Sequence, residues 1–133
     1  MAGQNRTGFA RIYAALFHSL HGCKATWQHE EAFRQECYLF FVSGPLGLWI
    51  GETGIEKALL VGSLLLVLIV ELLNTGIEIV VDRIGFERHE LSGRAKDVGS
   101  AAVLCSLIHA GLVWCLILGP RLYQFGSSLV KLN

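Results

Sequence analysis

The chain has 133 residues, enough for one domain, and its 11 Lys and Arg residues balance its 11 Asp and Glu residues at a formal net charge of zero. This balance gives no overall excess of basic residues of the kind that nucleic-acid-binding domains show, so no nucleic acid partner is expected. With 53% hydrophobic residues and a mean hydropathy of +0.50, the composition is typical of an integral membrane protein.

Residues 5–27 are predicted to form an amphipathic helix on the membrane surface. Apolar side chains recur there at i, i+3, i+4, i+7, i+8 and i+11, which is the spacing of one helical face. These positions are Phe9, Ile12, Tyr13, Leu16, Phe17 and Leu20. Basic and polar residues such as Arg11, His18 and Lys24 occupy other positions. A helix with aromatic residues on one side and bases on the other suits the lipid–water boundary.

Transmembrane helices are predicted next, at about residues 31–51, 56–84 and 95–119. The first of these helices depends on residues 37–51, which carry no charge. This run is shorter than a transmembrane helix, which needs about 20 residues. Its helix is therefore expected to begin earlier, within the polar hinge at residues 28–36.

The last apolar run is the clearest span, because residues 98–120 contain no Asp, Glu, Lys or Arg. Ala102, Ser106 and Ala110 form a row of small residues in it, which predicts close helix packing. Residues 85–94 before it are predicted to be a loop, and residues 121–133 after it a short frayed tail.

The distribution of basic residues orients these spans. Eight of the 11 Lys and Arg residues lie before or near the start of the first span, or near the junction of the second and third spans, and three lie at the opposite ends. The positive-inside rule therefore places the N-terminus and the 83–97 loop in the cytoplasm.

The second span carries a polar stripe. Glu71, Asn74, Glu78 and Asp82 lie at i, i+3, i+7 and i+11, within about 80° of arc on a helix. Carboxylates at membrane depth are costly and are usually kept for function, so this face must turn away from lipid.

Several uses of the stripe are open on physical grounds. Glu78, with Glu30 or Glu31 at the hinge, could bind Mg²⁺ together with nucleotide phosphates. Lys96 could meet phosphate charge, and the deeper Glu71 could act as a base toward a lipid hydroxyl. Alternatively, these groups only pair with each other and with Arg to hold helices together, or they conduct protons or cations through a non-enzymatic oligomer.

Familiar nucleotide-binding motifs do not decide between these uses. The sequence has no GxxxxGK[ST] motif and no HRD or DFG signature, so a P-loop or protein-kinase fold is unsupported. Physical reasoning alone reaches a membrane protein with an intramembrane acidic site and does not identify its reaction.

The run ELLNTGIEIVVDRIGFERHELSGRAKDVGSAAV resembles the prokaryotic diacylglycerol kinase family. The earlier segments GFARIYAALFHSLHG and WQHEEAFRQE share this resemblance, which covers roughly residues 5–118. It implies an all-α homotrimer in the bacterial inner membrane, with a surface helix and three spans per chain and sites between subunits. It also implies Mg²⁺-dependent transfer of the ATP γ-phosphoryl group to diacylglycerol, giving phosphatidic acid. Undecaprenol kinase, with the same fold and a polyisoprenol acceptor, is the nearest alternative.

The resemblance also implies roles for individual residues. Glu71 would be the catalytic base or would orient the acceptor hydroxyl, and Glu30 and Glu78 would hold the nucleotide-bound metal. Further implied ATP contacts are Arg11, His18, Asn74, Glu87, Arg88, His89, Lys96 and Asp97. Implied lipid contacts are Arg11, Ser19, Phe33, Trp49, Glu71, Ser100 and Trp114. Two positions depart from the familiar pattern: Glu31 replaces a small residue, and His18 replaces a tyrosine.

Overall fold

The computed structural model describes residues 8–85, 87 and 89–130. In these residues the chain forms four helices and no strand: α1 (Phe9–His29), α2 (Glu31–Ile50), α3 (Gly54–Ile84) and α4 (Glu90–Val130). α3 packs against both α2 and α4, and α1 contacts α2 and α3. The predicted all-α class is confirmed, with α3 as the central helix.

A single residue separates α1 from α2. Glu30 has extended backbone dihedrals (φ −109°, ψ 117°), and its N–H donates to the carbonyl of Thr26 at 2.8 Å. Arg34 reaches back from α2 and donates to the carbonyl of Trp27 at 3.0 Å, which satisfies an acceptor that the end of α1 leaves free. Most of the predicted hinge is therefore helical, and Glu30 lies at the break itself.

The turn between α2 and α3 is fixed by a capping box. The Thr53 hydroxyl accepts a hydrogen bond from the Glu56 N–H at 3.1 Å, and the Glu56 carboxylate accepts one from the Thr53 N–H at 3.4 Å. These bonds satisfy N–H groups that would otherwise lack partners at the start of a helix. α3 consequently begins at Gly54, two residues before its predicted start.

α4 is longer than the predicted span at 95–119. Its 41 residues begin at Glu90, because the His89 ring accepts a hydrogen bond from the Leu91 N–H at 3.2 Å and so caps the helix. The helix also continues through Pro120 to Val130. The predictions of a loop through residue 94 and of a frayed tail directly after residue 120 were wrong.

Two of the predicted spans are long and apolar enough to cross a membrane, namely α3 and residues Glu90–Gln124 of α4. α2 has 20 residues, but Arg34, Gln35 and Glu36 near its start lower its mean hydropathy. The predicted apolar face of α1 is exposed, with Phe9 and Tyr13 at 90% and 73%. These surfaces are typical of a protein that lies in and on a bilayer.

Small residues allow α4 to pack closely against α3, as predicted, but one of the buried small residues differs from the predicted row. Ser106 and Ala110 are buried, whereas Ala102 is exposed. Gly99 is buried in its place, seven residues before Ser106 and therefore on nearly the same helical face. The buried face of α4 thus includes Gly99, Ser106 and Ala110.

Candidate functional site

The polar stripe of α3 passes from the interior to the exposed end of the helix. Glu71 is 4% exposed and Asn74 is 9% exposed, whereas Glu78 is half-buried and Asp82 is exposed. Towards the start of α3 the buried face is mainly apolar and includes Leu60, Leu64 and Val67. The prediction that the deep carboxylate turns away from lipid is confirmed, because Glu71 lies inside the helix bundle.

Asn74 connects the buried and half-buried parts of the stripe. Its side-chain Nδ2 donates a hydrogen bond to Oε1 of Glu78 at 3.1 Å, one helical turn further on. Its Oδ1 is buried and accepts no hydrogen bond within the described part of the chain. The amide is therefore oriented with its donor toward the Glu78 carboxylate, which leaves the other oxygen of that carboxylate available.

α2 and its hinge bring two more carboxylates to this region. Glu30 and Glu78 both lie near enough to Glu71 for their charges to act on it, and the charge of Glu71 in turn acts on Glu36. The Oε2 atom of Glu36 is buried and has no hydrogen-bond partner among the described residues. The helices thus gather an acidic cluster, defined as Glu30, Glu36, Glu71 and Glu78.

Lys96 of α4 lies beside the exposed end of this cluster. Its ammonium group pairs with Asp82 at 2.6 Å, and the charge of Glu78 also acts on it. The two paired side chains are 37% and 52% exposed, so solvent screens the pair and its contribution to stability is small. Lys96 therefore joins α4 to the end of α3 and can move toward another anion at little cost.

Other predicted nucleotide contacts lie around the start of α4. His89 caps that helix, and Glu87 and Asp97 are exposed. Arg88 lies outside the described residues.

Arg11 and His18 are exposed on α1, where the His18 ring lies edge-on to Phe17 at 6.2 Å. The structure therefore brings Lys96 to the acidic cluster, whereas the other described nucleotide contacts of α1 and of the start of α4 lie on exposed surfaces.

The predicted lipid contacts do not converge on one point. Phe33 is buried on α2, Ser100 is exposed on α4, and the Ser19 hydroxyl donates to the carbonyl of Ala15 on α1. Trp49 is 82% exposed near the end of α2. Trp114 donates from its ring N–H to the carbonyl of Leu60 at 3.2 Å, about 16 Å along α3 from Glu71.

Comparison of the sequence with known proteins identifies the family. A family model described as prokaryotic diacylglycerol kinase matches residues 17–118. The chain belongs to this family.

Named relatives agree with the match. Diacylglycerol kinase from Escherichia coli (strain K12) is 51% identical over 114 residues, which cover 86% of this chain and 93% of the relative. The Haemophilus influenzae diacylglycerol kinase is 51% identical over 108 residues, covering 81% and 92%. The Pseudomonas aeruginosa diacylglycerol kinase is 44% identical over 115 residues, covering 86% and 94%. The family membership predicted from the motifs is therefore confirmed.

A kinase of this family uses ATP, and residues of the acidic cluster could hold a divalent cation that accompanies the nucleotide. Among the described residues, no three His, Cys, Asp or Glu side chains form a cage that could hold a metal by themselves. Mg²⁺ usually takes only one or two carboxylates and completes its shell with water and substrate phosphates. Glu78, held by Asn74, and Glu30, at the helix break, offer that donor set.

Sequence reasoning missed Glu36. It is the last charged residue before the uncharged run of α2 and lies between the buried residues Phe33 and Cys37. Helical spacing from those two residues would have placed it at the edge of the buried face and toward α3.

Proposed function

We propose that this chain transfers the γ-phosphoryl group of ATP to the hydroxyl of diacylglycerol, giving phosphatidic acid and ADP. The observation that carries the proposal is the polar stripe of α3, buried at Glu71 and exposed at Asp82, in a chain of the prokaryotic diacylglycerol kinase family. Diacylglycerol is amphipathic, and its hydroxyl lies at the boundary between the acyl chains and water. A stripe that leads from the bilayer interior to the exposed end of α3 matches that position.

Glu71 is the proposed catalytic base. The acceptor hydroxyl oxygen attacks the γ-phosphorus in line with the leaving group, and the bond from that phosphorus to the β,γ-bridging oxygen breaks. The hydroxyl proton passes to the Glu71 carboxylate, and ADP leaves. Burial among helices excludes competing water and keeps the carboxylate oriented.

Glu78 and Glu30 are the proposed ligands of the Mg²⁺ that accompanies ATP, and Asn74 holds Glu78 in place through the 3.1 Å hydrogen bond. When bound, Mg²⁺ supplies positive charge that offsets the charge of the transferring phosphoryl group. Lys96 adds a mobile positive charge, and its pairing with Asp82 keeps it near Glu78 between turnovers. Glu87, Arg88, His89 and Asp97 are proposed to border the nucleotide, with Arg11 and His18 from α1.

We propose that α2 also spans the membrane, in addition to α3 and α4. We further propose that the chains assemble as a homotrimer in the bacterial inner membrane. α2 is about 30 Å long, which matches the thickness of the hydrocarbon core, so the charged residues of its first turns would face other helices or the nearby headgroups. Exposed apolar side chains cover α2, α3 and α4 and can face lipid or other subunits. The distribution of basic residues supports a cytoplasmic N-terminus and a cytoplasmic 83–97 loop.

The test is transfer of label from γ-³²P-ATP to a defined lipid in mixed detergent micelles. The purified chain should label diacylglycerol in a Mg²⁺-dependent manner and should label undecaprenol much less. Preferential labelling of undecaprenol would overturn the acceptor assignment. Ion flux through proteoliposomes without ATP, and no labelled lipid, would instead favour the channel hypothesis.

A further inference from the structure

Gly99 of α4 lies directly against the Asn74 side chain. A Cβ atom at position 99 would overlap Oδ1 of Asn74 and would lie 3.3 Å from its Cγ. By contrast, a Cβ at Gly93, Gly111 or Gly119 of the same helix would meet nothing within 4 Å. Position 99, unlike those three, therefore has room for a side chain only if Asn74 moves.

The orientation of the Asn74 amide depends on this contact. Oδ1 has no hydrogen-bond partner in the described part of the chain, so no bond holds the amide on that side. On the other side, Nδ2 donates to Glu78. Any side chain at position 99 would displace the amide and thereby disturb the bond to Glu78.

We propose that Gly99 is a positioning residue, which leaves room for the Asn74 amide and through it fixes the Glu78 carboxylate for metal binding. The proposal rests on the proposed function, because it takes Glu78 as a ligand of Mg²⁺. Groups that orient a metal ligand commonly change metal affinity by about 10- to 100-fold when they are altered. Gly99 acts in this way although it has no side chain of its own.

The test compares Gly99→Ala, Asn74→Ala and the double variant. Gly111→Ala is the matched control, because it makes the same substitution on the same helix in open space. The readout is the Mg²⁺ concentration that gives half of the ATP-dependent rise in unfolding temperature, which reports binding to the folded protein without catalysis. The KM for Mg·ATP in the labelling assay is measured alongside.

Gly99→Ala should raise the half-saturating Mg²⁺ concentration about tenfold or more, whereas Gly111→Ala should change it by less than about twofold. In the Asn74→Ala background, adding Gly99→Ala should change it by less than about twofold, because the displaced group is already gone. An equal shift with and without Asn74, or no shift at all, would overturn the proposal.

Two further comparisons keep the test decisive. If Gly99→Ala does not fold, the double variant should regain the unfolding temperature of Asn74→Ala, and a double variant that stays unfolded would overturn the proposal. Glu78→Gln is measured in parallel. If Glu78→Gln leaves the half-saturating Mg²⁺ concentration unchanged, Glu78 is not a metal ligand. If Glu78→Gln raises that concentration and Gly99→Ala does not, only the proposed role of Gly99 is wrong.

Discussion

At the scale of single residues, the surroundings of Glu78 bear most directly on the proposed metal site. Its carboxylate is half-buried, accepts a hydrogen bond from Asn74, and lies near both Glu71 and Lys96. Glu78→Gln keeps the shape of the side chain but removes the charge that a divalent cation requires. We expect the Mg²⁺ concentration for half-maximal activity to rise at least about tenfold.

A Mg²⁺ titration of lipid labelling checks this expectation. Glu52→Gln is the control, because Glu52 is exposed in the turn at the opposite end of α3. If Glu78→Gln retained full activity at the ordinary Mg²⁺ concentration, the metal assignment would be wrong.

The residues of the acidic cluster differ in how far the sequence predicts them. The face shared by Glu71, Asn74 and Glu78 follows from helical spacing, and its burial follows from the cost of exposing carboxylates to lipid. The importance of Glu36 and Gly99 could not be predicted from helical spacing in the same way. Their importance depends on how α2 and α4 lie against α3, and pairwise helix packing is not encoded in the periodicity of one helix.

At the scale of elements, the capping box at Thr53 sets where α3 begins and therefore the depth of the stripe. Thr53→Ala removes the acceptor for the Glu56 N–H and should lower the free energy of unfolding by about 1 kcal/mol. Thr53→Ser retains a hydroxyl at the same position and should leave it nearly unchanged. Reversible unfolding of both variants in detergent micelles measures the difference, and equal stabilities would contradict the capping role.

Helix ends were predicted less well than helix centres. The start of α4 depends on the His89 ring, which caps the helix although His is not a common N-cap residue, and composition alone gives no signal for it. At the other end, a frayed tail was predicted from residue 121 onward, yet the helix continues through Pro120 to Val130. There, Arg121 donates to the Ile50 carbonyl at 2.8 Å and to Glu56 at 2.7 Å, and these tertiary bonds support the extension.

At the scale of the whole molecule, one chain contains part of the proposed site. Glu30, Glu71 and Glu78 come together within it, but Arg11 and His18 remain on the exposed surface of α1. A site between subunits would take α1 from a neighbouring chain. We therefore expect inactive Glu71→Gln chains and inactive Arg11→Ala chains to restore activity when they assemble together.

In a cyclic trimer that contains both kinds of chain, one site in three, or about a third, would combine an intact Glu71 from one chain with an intact Arg11 from its neighbour. Differently tagged chains purified over two affinity columns ensure that the assemblies are mixed. Glu71→Gln mixed with Glu78→Gln is the control and should show no more activity than its Glu78→Gln chains alone, because both residues come from α3 of one chain. Failure of the first pair to recover in proven mixed assemblies would contradict a shared site.

The central claim is that Glu71 serves the transfer of phosphate from ATP to diacylglycerol. The most direct measurement is the rate of ³²P transfer to diacylglycerol by the unaltered chain, Glu71→Gln and Glu52→Gln, with the KM for ATP of each. We predict that Glu71→Gln lowers kcat by at least about 100-fold with little change in the KM for ATP, because its partner is the lipid hydroxyl. Glu52→Gln should match the unaltered chain. A Glu71→Gln variant that labels diacylglycerol at the rate of the unaltered chain would contradict the account.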